Sequence, residues 1–198
     1  MYKFLIIAAI IIIAGVGAYF AFKDFGKKKT PQPSFENITA SPNQTNNNTN
    51  MQISSPAFQA QQNIPVKYTC DGQNINPPLA FVNVPSQAQS LVLIVDDPDA
   101  PAGTWTHWTL WNIDPHIAGI DENSVPPGAV QGKTSFGKPG WGGPCPPSGT
   151  HRYFFKLYAL DADLNLSASA DVQELQDTMR NHIIGSAELV GLYSRQAK

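Results

Sequence analysis

Five consecutive apolar residues, Leu91–Val95, run straight into Asp-Asp-Pro-Asp-Ala-Pro. A run that short, apolar at every position, reads as a strand buried on both faces. It cannot stay buried past Val95, because three carboxylates and two prolines follow within six residues. Pro98 and Pro101 each lack an N–H and fix φ, so the chain leaves the sheet there as a stiff loop. After a turn at Ala102-Gly103 a second strand is predicted over Thr106–Ile113, with His107 among aromatics. Together they bring Asp97, Asp99 and His107 to one strand end. Those residues alone fit a proline-stiffened turn with solvated acids and a core histidine as well as they fit a binding site.

A second stretch favours the site. Trp141–Asp161 reads WGGPCPPSGTHRYFFKLYALD. Its glycines permit close backbone approach and its prolines stiffen the loop. His151, Arg152 and Tyr153 then open a strand, Tyr153–Leu160, rich in aromatic and branched residues. Two rigid Pro/Gly loops, each beside a histidine at a strand end, point to one pocket built by both.

The four segments DPDAP, THW, GPCPPSGTHRY and AELVGLYSR, in that order, resemble the phosphatidylethanolamine-binding protein family. More closely the chain is similar to its prokaryotic, Raf-kinase-inhibitor-like (YbhB/YbcL-type) branch, over roughly Met51–Arg195. The resemblance implies two antiparallel sheets with Greek-key links and a small anion pocket for phosphate-bearing headgroups. The residues matching that pocket are Asp97, Pro101, His107, Cys145, Pro146, His151 and Tyr153. The name of the family implies kinase or protease inhibition for some members, so inhibition of such a partner is an alternative function.

The rest of the domain reads as many short strands with Gly/Pro turns, a mainly β sandwich with peripheral helices. Strands are predicted over Met51–Phe58, Asn63–Tyr68, Leu79–Val84, Ala129–Lys133 and Ala187–Tyr193. One helix is predicted, with Ser169 as cap, Val172, Leu175, Met179 and Ile183 at helical spacing, and Gly185 at C′.

Ahead of this lie two segments of different character. Phe4–Phe22 is an uncharged apolar run of nineteen residues, about 28 Å as a helix, close to the hydrocarbon thickness of a bilayer. With its basic flank, residues 1–29 are expected to form a transmembrane anchor; a cleaved signal peptide, and hence a secreted domain, is the alternative. Residues 30–50 are rich in Asn, Thr and Pro and have too little apolar surface to fold, so they read as a stalk. Residues 51–198 are then the folded domain. Lysines crowd the C-terminal side of the apolar run, which favours a cytoplasmic domain. Three N-x-T patterns at Asn37, Asn43 and Asn47, the stalk and the cysteines favour the opposite face, and an extracytoplasmic domain is the reading adopted.

Charge narrows the partners. Residues 1–50 carry five lysines against Asp24 and Glu36, while the remainder carries 8 basic and 13 acidic residues. An acidic domain without a basic run argues against nucleic acid. The basic cluster beside the apolar run fits headgroup contact with a membrane. Cys70 and Cys145 are either bonded or two buried thiols, and in an exported domain the bond is favoured.

At the pocket, a charged His107, the Tyr153 hydroxyl and the Cys145 N–H are donors suited to phosphate, with Asp97 orienting and charging His107. No G-x-S-x-G elbow exists and Ser148 has no base, so a non-enzymatic binding domain without cofactor is expected. A metal-assisted phosphoester hydrolase, using Asp97, Asp99, His107 and His151, is a further alternative.

Overall fold

The computed structural model describes residues 50–195. Eight strands form two antiparallel sheets. The smaller has the order β1-β2-β5, from Gln52–Ser54, Leu79–Val82 and Gly119–Ile120. The larger has the order β6-β4-β3-β7-β8, from Val130–Gln131, Trp105–Ile113, Ser90–Asp97, Thr150–Leu160 and Ile183–Ser194. Within it β3, β4 and β6 lie side by side and β7 returns next to β3, which is Greek-key order. One α-helix, α1 (Val172–Met179), and one 3₁₀ turn, Val66–Tyr68, complete the described elements.

Strand β3 is buried at all eight positions, because the larger sheet is covered on both sides. Leu91, Leu93 and Val95 enter the core between the sheets, with Trp108, Leu110, Phe155 and Leu157. Val92 and Ile94 enter a second core against Leu164, Leu175 and Met179, on the helix side. Alternation along the strand carries the same split to its end, where Asp96 falls on the helix side and Asp97 on the inter-sheet side. Asp96 is buried and takes the Lys156 ammonium at 2.7 Å. Burial pushes its carboxyl above the usual range and Lys156 opposes this.

Three local expectations are corrected. Asn63–Tyr68 is not a strand: Asn63 makes a single bridge to Leu192, and beyond Pro65 the chain closes 3₁₀ hydrogen bonds, Tyr68 N–H to Pro65 and Thr69 N–H to Val66. Met51–Phe58 and Ala129–Lys133 are strand only at Gln52–Ser54 and Val130–Gln131. The helix is capped by Asp171, whose carboxylate accepts from Glu174 N–H, while Ser169 bonds Ser167 instead. It ends at Met179, and Ile183 and Gly185 belong to β8, which pairs with β7 from Thr150↔Ser194 to Leu160↔Ile183. That ladder outweighs the local helical period. The apolar run, the stalk and its sequons lie outside the described residues, among which no helix is long and apolar enough to cross a membrane.

The Asp96–Lys156 pair yields a stability test. Lys156→Met leaves a buried carboxylate without its counter-charge, and is expected to cost about 1–3 kcal/mol at neutral pH. The loss should shrink as pH falls into the raised range of Asp96, where the neutral carboxyl needs no cation. Urea denaturation of native and variant protein at two pH values measures it.

Candidate functional site

The ends of β3, β4 and β7 supply the polar floor of the site. Asp97 is buried; its Oδ1 accepts the Asp99 N–H at 2.9 Å and its Oδ2 accepts from His151 Nδ1 at 2.7 Å. The partner of Asp97 is therefore His151 of β7, not His107. His107 is oriented by a backbone group: its Nδ1 lies 2.5 Å from the Gly142 carbonyl oxygen. A carbonyl only accepts, so Nδ1 carries the hydrogen.

A bulge aims the His107 ring. Val95 pairs with Trp108 and Asp96 with Thr106, so His107 is an extra residue in β4. Strict alternation would put it on the face opposite Trp108. Instead its ring meets the edge of Tyr153, a residue of the inter-sheet core that also holds Trp108, at 5.2 Å between centroids. His107 is 3% exposed. Burial lowers its pKa below the usual histidine value; the Gly142 carbonyl, Asp97, Asp96 and the Gly143 carbonyl oppose this in decreasing order. Burial thus works against a standing imidazolium here, and the carboxylates and carbonyls work for one.

Tyr153 is buried beside them. Its hydroxyl lies near Asp97 and the Cys145 amide but makes a hydrogen bond of sound geometry to neither. Burial first, and then Asp97, push the phenol far above its usual range, so it is a firm O–H donor.

The opposite wall is the Gly/Pro loop between β6 and β7. It is strapped to the segment after the 3₁₀ turn by a Cys70–Cys145 disulfide with 5.4 Å between Cα atoms. Cys70 N–H also donates to Pro144 O, Gly143 N–H to Asn74 Oδ1, and Trp141 Nε1–H to Tyr68 O. The approach is close enough to need glycine. A Cβ on Gly143 would sit 2.5 Å from the Tyr68 carbonyl oxygen, and one on Gly142 would sit 2.2 Å from the Phe136 ring.

Between floor and loop lies a cavity of about 360 Å³, within the usual range for small-ligand sites. Of the sequence-predicted residues, Asp97, Pro101, His107, Cys145, Pro146 and His151 line it, and Tyr153 does not. Asp99 turns away: its carboxylate takes the Nε and NH2 groups of Arg152, which hold it down to about pKa 2. Among the described residues no three His, Cys, Asp or Glu side chains are grouped as metal ligands. Sequence reasoning missed Trp105 and Phe136, which form much of the apolar wall and meet edge to face at 5.4 Å. The one signal for Phe136 was a large apolar residue inside a Gly/Pro loop, and it is 43% exposed.

The family profile described as phosphatidylethanolamine-binding protein matches residues 54–194. The chain belongs to the phosphatidylethanolamine-binding protein family. Its relatives include the UPF0098 protein of Methanothermobacter thermautotrophicus, 49% identical over 150 residues, 73% of this chain and 99% of that one. The UPF0098 protein of Pyrococcus abyssi is 48% identical over 72% of this chain and 84% of its own length. Among solved structures, the phosphatidylethanolamine-binding protein homologue CT736 of Chlamydia trachomatis superposes with TM-score 0.72 at 43% identity, covering 74% of this chain and 98% of that one. YbcL of E. coli, described as a member of the mammalian family, superposes with TM-score 0.70 at 29% identity, covering 74% and 99%. The fold is thus that of phosphatidylethanolamine-binding proteins, and the domain is a binding domain of that family.

The strap should be strong. Closing a loop across a sequence separation of 75 residues stabilises by roughly 4 kcal/mol in the chain-entropy picture. Thiol titration of the denatured, unreduced protein should find no free sulfhydryl. Reduction should lower the urea midpoint and leave the Gly/Pro loop open to proteolysis.

Proposed function

We propose that this domain is a non-catalytic binding module whose pocket takes a small phosphate-bearing ligand, either free phosphate or a phosphomonoester such as phosphoethanolamine, the free form of a lipid headgroup. The observation that carries the reading is the set Asp97, His107, Cys145 and His151 lining one cavity, with the buried Tyr153 hydroxyl beside it, turned toward Asp97 and the Cys145 amide without a well-formed hydrogen bond to either. An orphan donor in a core costs stability unless something fills it. A phosphate oxygen held at the Cys145 N–H of the lining is the ligand atom placed next to that buried hydroxyl. The apolar wall of Trp105, Phe136 and Pro101 then accommodates the alkyl part of a headgroup. The family membership supports the reading, and among the described residues the two pocket imidazoles are held through Nδ1 by a carbonyl and a carboxylate. We further propose that residues 1–29 anchor the chain in a membrane and present the domain on the extracytoplasmic side. The uncharged run Phe4–Phe22 and the Asn/Thr-rich tract with its sequons support this. Regulation of a partner protein, a kinase or protease among the alternatives, would use the surface and has no specific observation behind it.

The pH dependence follows from His107. Its lowered pKa leaves it neutral above pH 6.5 or so. A phosphomonoester dianion, formed above about pH 6, must therefore take up one proton on binding. Affinity should fall by up to about ten-fold per pH unit above that point and level off below it. Calorimetry with phosphoethanolamine at pH 6 and 8, in buffers of different ionisation enthalpy, measures both slope and proton uptake. His107→Ala should flatten the slope and weaken binding by about ten-fold or more, while His116→Ala should change neither. A parallel phosphate-release assay, with and without added divalent metal, should show the ligand unconsumed; turnover would replace the binding reading with the hydrolase.

A further inference from the structure

The lining of the cavity contains no lysine or arginine, and it does contain the carboxylate of Asp97. Arg152, next to His151 in the chain, is committed to Asp99. An anion entering this pocket therefore meets no permanent positive side chain. The histidines do not supply one by default. His107 gives its Nδ1 hydrogen to the Gly142 carbonyl, and His151 gives its own to Asp97. In a neutral ring the remaining nitrogen, Nε2, is then a lone-pair acceptor. The titratable groups that face His107 are Asp97 from β3 and Tyr153 from β7, and the charge of Asp96 acts on it from the other side of the sheet. The loop adds the Gly142 and Gly143 carbonyls and the Phe136 ring. The carboxylates and carbonyls favour a proton arriving at His107.

Such a floor is mixed. The Cys145 amide in the lining and the Tyr153 hydroxyl buried behind it are donors, while His107 Nε2 accepts. A fully deprotonated oxyanion presents acceptors only. It would set lone pair against lone pair at His107 and negative charge beside Asp97. An oxyanion that keeps one hydrogen matches the floor, with its O–H donating to Nε2 and its other oxygens accepting.

We propose that the pocket selects oxyanions by the proton they carry, taking hydrogen phosphate and singly protonated phosphomonoesters and rejecting ions of similar size that carry none, such as sulfate, with His107 as the specificity-determining acceptor. This rests on the reading of the site as a phosphate pocket and names the feature by which that pocket would tell its ligand from other anions.

The test is calorimetry of the full, oxidised chain with inorganic phosphate and with sulfate at pH 8 and pH 5. At pH 8 phosphate still holds a proton and sulfate holds none. Phosphate should bind at least about ten-fold more tightly, the weight of one charge-assisted hydrogen bond. At pH 5, toward protonation of His107, sulfate should gain affinity and the ratio should narrow. His107→Gln, whose amide can donate to either ion, should narrow the ratio at pH 8; Tyr153→Phe should weaken both ions and leave the ratio in place. Equal affinities at pH 8 overturn proton selection, as does a native ratio that ignores pH or a folded His107→Gln variant that keeps the native ratio. The native pH series decides the question even where the glutamine variant does not fold. Failure of the native protein to bind either ion at both pH values overturns the phosphate pocket itself, and proton selection with it.

Discussion

Strand β3 is apolar enough to be buried on both faces, yet it ends in two adjacent carboxylates that remain buried. Charge in such a place is tolerated only with partners, and finding those partners organises this end of the molecule. Alternation sends the two carboxylates to opposite sides of the sheet. Asp96 reaches Lys156 on the helix side. Asp97 reaches His151 on the inter-sheet side and is also tied to the backbone of its own loop. Both partners come from β7, the strand that flanks β3 opposite β4. The requirement to satisfy two carboxylates thus pins β7 against β3 and places a histidine at the edge of the cavity.

The cavity has a polar floor on rigid sheet ends and a wall on an irregular loop. A loop of glycines and prolines has little stability of its own, and here it is held by the disulfide and three hydrogen bonds to the segment Tyr68–Asn74. The same loop carries the carbonyl that sets the His107 tautomer. The state of a floor residue is therefore fixed by the wall, and covalent closure of the wall bears directly on what the floor offers a ligand. Phe136 seals the arrangement against both Trp105 and His107. The result differs from an anion site built on arginine or lysine, whose charge is permanent. Here the positive charge is conditional, and among the described residues the lining carries the Asp97 carboxylate and no lysine or arginine.

The match to phosphatidylethanolamine-binding proteins begins at residue 54, so the apolar run and the Asn/Thr-rich tract precede the shared domain. The Methanothermobacter relative is covered almost entirely by that domain, and the Pyrococcus abyssi relative over 84% of its length.

The sequence by itself determined the elements whose signal is local. The unbroken run Leu91–Val95 required a strand covered on both faces, and the prolines at 98, 101, 144, 146 and 147 required stiff loops at its end and before β7. Six of the seven pocket residues followed from the resemblance of those loops to known ones, and they line one cavity. Tyr153 lies beside that cavity, buried, because position 153 falls on the inter-sheet face of β7. Only the tertiary structure decided the rest, because it depends on pairing between distant segments. Ile183 and Gly185 fit a helix by spacing, but the long ladder with β7 takes them as strand. Which histidine Asp97 would meet was a matter of register: Asp97 and His151 are 54 positions apart and share a face only because β3 and β7 pair as they do. His107 was put in the cavity by a one-residue bulge, which no two-residue alternation can foresee. Its neutrality follows from burial and from a carbonyl 35 residues away, since desolvation is a property of the packed fold and not of the residue.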